Sequence, residues 1–323
     1  MLLATAIPAQ ATSSSPACLG GASPLLRLMG VPAHGSMPML QDGALSARVS
    51  LELANHANQS ESRDSLEAIE LDGETYYLDF ELRYGLNDRL TIGIDVPVIR
   101  HSTGILDNAI EQWHRFIGLP TGDRTGPPNQ LDMHYSNNSQ QLFDLQNPTT
   151  GIGDIRLNSL WLLRPGTNDQ DVSVALAASI ELPTGDVDRL QGNGAVDVSI
   201  GFDVSGIRPF GLEDLRLSTS AGITWPGHGE LLEQQRKSTI VYAGADLVWH
   251  WRPRWGIAAV IQGQSAAFDS ELDELGKGAI QIALAALYEN PGRDLNIEIA
   301  VVEDLVTDGA PELALYFGVT KTY

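Results

Sequence analysis

The sequence predicts an all-β protein, an antiparallel up-and-down transmembrane β-barrel of about 12 strands with a long extracellular loop containing a short helix. Three observations predict it. Alternating apolar and polar residues recur along most of the chain, the period of two that marks strands with unlike faces. The polar faces carry charges at mid-strand, including Asp79, Glu81, Arg83 and Asp95. That suits a polar lumen behind an outward apolar band. The connections also alternate, long then tight, as barrels with short periplasmic turns and longer outer loops require.

Taken in order, the chain begins with MLLATAIPAQA, a small apolar segment ending in Ala9-Gln10-Ala11. We read residues 1–11 as a residual signal peptide cut after Ala11, although no basic residue precedes it. Residues 12–42, rich in Ser, Pro, Gly and Ala, form an irregular lead-in. The barrel domain is then 43–323. Its first strand, 45–54, alternates Val49, Leu51 and Leu53 with Arg48, Ser50 and Glu52. A polar, acidic connection is expected over 55–74. Strands at 75–85 and 90–98 form a hairpin around the turn residues Gly85-Leu86-Asn87-Asp88. Residues 99–150 make the longest connection. Further alternating segments follow at 153–163, 171–182, 196–204, 215–225, 238–251, 255–268, 277–288, 295–302 and 312–323. Trp and Tyr near strand ends, such as Tyr84, Trp161, Trp249 and Trp255, fit interfacial girdles, and Phe268 is read the same way. The terminal Tyr323, with Phe317 and Leu315 in alternation before it, resembles the C-terminal signal read by the outer-membrane assembly machinery.

Composition narrows the function classes. The 323 residues carry a formal charge of −21, which argues against nucleic acid as a partner. Charged residues are 19% and apolar residues 43% of the chain. With no apolar run of transmembrane-helix length, this fits membrane crossing by strands, or a soluble β protein. The single Cys18 excludes an intrachain disulfide and a cysteine-based zinc cage. No nucleotide, phosphate-loop or HExxH fingerprint appears, so no cofactor is expected.

Asp72-Gly73-Glu74 at a strand start, Gly104 to Asp107, and Gly118-Leu119-Pro120 form a set of motifs. Together they resemble those of a Gram-negative family catalogued as domain-of-unknown-function family 3187. Pro24-Leu25 and Gly30-Val31-Pro32 fit the lead-in. The resemblance implies an outer-membrane barrel and brings no established activity.

Two groups of residues are candidates for function. The inward set is Asp79, Glu81, Arg83, Asp95, Asp154, Arg156, Asn158, Asp197, Asp203, Asp246 and Glu298. Charges in a narrow lumen must be paired or hydrated. The set therefore reads either as an internal salt-bridge network or as the lining of a path for cations and polar solutes. The second group lies in the long connection, where Ile110, Trp113, Phe116 and Ile117, with His114 beside them, recur at helical spacing. It reads as a helix capping the barrel mouth or as a gate. The expected function is a small-solute channel or transporter gated by the 99–150 loop, in contact with outer-membrane lipids and lipopolysaccharide. Two alternatives stand beside it. A lipid hydrolase would use His101 and Ser102, although neighbours on a strand point to opposite faces. A soluble periplasmic β-barrel would bind an apolar ligand.

Overall fold

A computed structural model of the chain describes residues 23–105, 129–166, 172–305 and 313–323. Helix α1 (Pro24–Arg27) leads into β1 (Leu45–Glu61), β2 (Glu67–Asn87) and β3 (Leu90–Ser102). A short hairpin, β4 (Asp132–Asn137) and β5 (Gln140–Leu145), and a small strand, β6 (Thr149–Ile152), follow. The wall continues through β7 (Ile155–Arg164), β8 (Ser173–Leu182), β9 (Asp197–Ile207), β10 (Leu215–Trp225), β11 (Ile240–Arg252) and β12 (Trp255–Gln264). Helix α2 (Asp273–Gly276) precedes β13 (Ala279–Asn290), β14 (Leu295–Asp304) and β15 (Leu313–Thr322). Successive wall strands pair antiparallel, and β1 pairs with β15 to close the ring. Leaving aside β4, β5 and β6, which extend β2 and β3 at one rim, the closed wall has 12 strands.

The alternation in sequence becomes two faces of that wall. Val49, Leu51, Phe80, Leu82, Ile92 and Ile94 point outward and are exposed. Ser46, Arg48, Ser50, Glu52 and Arg83 point inward and are buried. A wall that is apolar outside and polar inside inverts the soluble-protein pattern and matches a membrane barrel. Closure matters as much as the pattern, because a sheet edge in lipid would leave backbone groups without partners. Among the described residues no helix is long and apolar enough to cross a membrane.

The loop pattern holds, with one correction. The connection expected over 55–74 is mostly strand, since β1 runs to Glu61 and β2 starts at Glu67. Asn55, His56, Ala57, Ile69, Leu71, Asp72 and Glu74 of this paired ribbon are buried, so the polarity there belongs to packed strand rather than to a turn. At the opposite end β2 and β3 turn through 88–89, and β11 and β12 turn through 253–254. Trp249, Trp251 and Trp255 are exposed near that tight-turn end, with Trp255 packed on Tyr288 at 4.9 Å between ring centroids. Phe268 corrects the girdle reading: it is fully buried at the long-loop mouth, not facing lipid.

Candidate functional site

The lumen is occupied by the chain's own N-terminal segment, residues 23–42. Ser23 caps α1, its Oγ accepting from the Leu26 amide at 3.1 Å. Leu25, Leu26, Leu28 and Met29 then bury themselves in an apolar cluster at the long-loop mouth. That cluster recruits Leu190, Leu231, Leu232, Phe268 and Leu275 from the loops and Met133 and Tyr135 from the β4–β5 hairpin. From there the segment descends towards β1 at the tight-turn end, touching inward side chains around the ring. The side-chain Nδ2 of Asn193 donates to the Leu28 carbonyl, and Ser199 of β9 donates to the Gly30 carbonyl at 3.1 Å. Arg83 of β2 donates to the Ser36 carbonyl, and Thr91 of β3 accepts from the Leu40 amide at 2.9 Å. Gly30 takes a left-handed φ of 66°, and a Cβ there would meet the Asp197 side chain at 2.5 Å, so the passage requires glycine.

Two side chains of the segment enter the wall's polar network. Arg27 Nη1 donates to Glu52 Oε2 at 2.8 Å and Nη2 to Asp79 Oδ2 at 3.1 Å. Its guanidinium lies 3.9 Å over the Tyr77 ring. His34 bridges Ser220 Oγ through Nδ1 at 2.6 Å and Asp246 Oδ2 through Nε2 at 2.9 Å. Its backbone amide donates to Gln262 at 2.7 Å. Gly244 makes room for this imidazole, since a Cβ there would lie 2.7 Å from the His34 Cβ.

The other charges pair within the wall. Arg48 donates to Glu298 at 2.7 Å and to the Tyr316 hydroxyl at 2.5 Å. Arg83 holds Glu81 and Asp95, and Asn158 donates to the second Asp95 oxygen at 2.8 Å. Arg156 donates to Glu181 at 2.5 Å. A cavity beside the segment is lined by Arg27, Ser50, Tyr77, Asp79, Asp154 and Arg156, among others. Asp203 lines a smaller one with Ala33, Ser220 and Tyr242.

Asp154 and Asp197 lie inside but near the outer rim, where they order loops. Asp154 accepts from the Gly185 and Asn193 amides, and Asp197 accepts from the Gly227 amide at 2.9 Å and the Asn193 side chain. Burial holds the Asp154 carboxyl above the ordinary aspartate range. Nearby, burial lowers Arg236, whose guanidinium donates to the carbonyls of Gly227, Asn193 and Leu231. Ile110, Trp113, His114, Phe116 and Ile117 lie outside the described residues.

Sequence reasoning missed Arg27, His34, Glu52, Tyr77, Arg48 and Glu181. Four of them sit on polar strand faces and were recoverable from the alternation. Arg27 and His34 had no such signal. His56 lies in β1, His101 in β3 and His134 in β4; His56 and His101 are buried and share Thr75 Oγ1, at 3.2 and 3.0 Å. His101 Nε2 also meets the Leu190 carbonyl at 3.0 Å, so both ring nitrogens are committed to structure. Outside the lumen, Glu70, Asp132 and His134 place ligand atoms within 4.8 Å of one another on the β2–β4 ribbon, a spacing a divalent ion could use.

The barrel is similar to the COG4313 outer membrane channel from Pseudomonas putida F1. The TM-score is 0.55 at 14% identity, covering 88% of this chain and 97% of that one. The NanC porin aligns over 86% of this chain and 98% of its own, with a TM-score of 0.45 at 10% identity. The Ralstonia pickettii toluene transporter TbuX aligns over 94% and 98%, with a TM-score of 0.39 at 11% identity. No curated protein matches the sequence. At such identities likeness speaks to the fold, and a closed barrel with an apolar belt belongs in the bacterial outer membrane. Its match to the family model runs over residues 1–323, so the chain belongs to the family described as protein of unknown function (DUF3187).

Proposed function

We propose that the protein is an outer-membrane channel for small polar solutes, closed by residues 23–42 in its lumen. One observation carries this reading: the segment lies among hydrophilic inward side chains of the wall, including Glu52, Asp79, Ser199, Ser220, Asp246 and Gln262. A barrel built only for mechanical stability gains nothing from charges inside it, since buried pairs rarely outperform apolar packing. Removing the segment leaves Glu52, Asp79 and Asp246 facing an open lumen. The 99–150 connection is a second layer of closure in this proposal, its β4–β5 hairpin covering the mouth cluster from above. The outward belt is the surface for lipid and lipopolysaccharide. Outward Leu315 and Phe317 on β15 suit recognition by the assembly machinery.

The test is single-channel recording in planar bilayers, comparing the full chain with a variant lacking residues 24–40. The full chain is expected to open rarely and the deletion variant to conduct steadily. A deletion variant that still shows the heat-modifiable gel shift of a folded barrel, yet passes no current, would overturn the channel reading.

A further inference from the structure

The wall has more carboxylates than cations, and the imbalance is local. Three wall arginines, Arg48, Arg83 and Arg156, pair with Glu298, with Glu81 and Asp95, and with Glu181. Glu52 and Asp79 receive their cation from the N-terminal segment instead. These two, with Tyr77, form a built site. Glu52 and Tyr77 are directly opposed in the β1–β2 register, and Asp79 lies two residues further along β2 on the same inward face. The result is two carboxylates and an aromatic face converging on one position. The pair of carboxylates offers planar acceptors for N–H donors, and the ring face attracts a cation. Their side chains are buried or nearly so, at 5% exposure for Glu52 and 20% for Asp79. Water therefore competes weakly for whatever cation sits there.

We propose that Glu52, Asp79 and Tyr77 form the binding site for the transported solute, an organic cation bearing a guanidinium group. Arg27 occupies that site as a tethered stand-in while the lumen is closed. This rests on the channel reading and adds the substrate class. The tether sets the competition: an intramolecular guanidinium acts at high effective concentration, so a free cation displaces it only when abundant or when the segment's apolar anchor loosens. Release and occupancy are then coupled, because a solute that fills the site removes the ion pairs that hold Arg27, one of the segment's polar ties to the wall. The cavity lined by Arg27, Tyr77 and Asp79 gives an entering solute room beside the site.

The experiment is titration calorimetry on detergent-solubilised protein with L-arginine, using L-citrulline as the neutral near-isostere. Arg27→Ala is expected to bind arginine saturably at one site and to ignore citrulline. The full chain is expected to bind at least an order of magnitude more weakly. Adding Glu52→Gln and Asp79→Asn to Arg27→Ala should abolish binding. Arg27→Gln replaces the alanine variant if the latter fails the heat-modifiability test. The unaltered chain gives an independent reading, since saturating arginine should raise its opening frequency in bilayers and citrulline should not. Equal binding of arginine and citrulline, or no binding to a folded Arg27 variant, overturns the proposal. If the deletion variant conducts while arginine neither binds nor blocks, the site falls and the channel stands. If arginine binds while no variant conducts, solute transport falls and only a cation site remains.

Discussion

The two halves of the luminal segment are held by different physics. Residues 24–31 are anchored by burial: Leu25, Leu26 and Met29 are at most 1% exposed, inside a cluster that joins loop side chains to strand side chains such as Leu71, Tyr135 and Ile240. Residues 32–42 carry fewer buried apolar groups and are held by single directional bonds to the wall, such as those of His34 and of the Leu40 amide. Burial is non-directional and scales with area, whereas each hydrogen bond adds about 1 kcal/mol net. The upper half thus works as an anchor and the lower half as a string of individually weak latches. Arg27 lies within the anchored half and adds ion pairs to Glu52 and Asp79 there.

The comparison makes graded predictions. The largest effect is expected from Leu26→Asp, which places an unpaired carboxylate in the anchor. Limited proteolysis should then cut within 23–42, and bilayer recordings should show sustained current. An uncleaved, silent variant would mean that the anchor does not control the segment. Phe268→Ala removes a wall of the same cluster without adding charge. Large-to-small substitutions of this kind cost about 3–5 kcal/mol, so openings should become frequent while the barrel's own melting transition stays in place. His34→Ala should act more weakly, because it removes two side-chain hydrogen bonds at about 1 kcal/mol each. Brief openings without proteolytic sensitivity are expected. Thr91→Val should have the smallest effect, because it removes a single neutral hydrogen bond, worth about 1 kcal/mol net. Its current trace should match the full chain, and a large change there would show that the latches act as one unit.

The wall was legible because each strand states its two faces locally. Phe80 and Leu82 against Asp79, Glu81 and Arg83 is a pattern that any window of six residues displays. Even the missed Glu52 and Glu181 lay on polar faces that the same alternation defines. Boundaries were less legible: the 55–74 segment looks like loop because its buried strand positions include the polar Asn55, His56, Asp72 and Glu74, which blur the alternation. The luminal segment was the larger omission. Its Pro24, Gly30, Pro32, Gly35 and Pro38 mark irregular backbone, and irregular backbone is ordinarily outside a fold.

By itself, then, the sequence determined the closed polar-lined barrel and the side of it that meets lipid. Period-two hydropathy and loop alternation are local properties that add up along the chain. Only the tertiary structure decided what fills the lumen. Arg27 meets Asp79 across 52 residues of sequence, and His34 meets Asp246 across 212. Those contacts exist because ring closure brings every inward face to one axis, where a short irregular segment can touch β1, β2, β3 and β9 to β12 at once. No periodicity records such a meeting, because the partners share neither a strand nor a register.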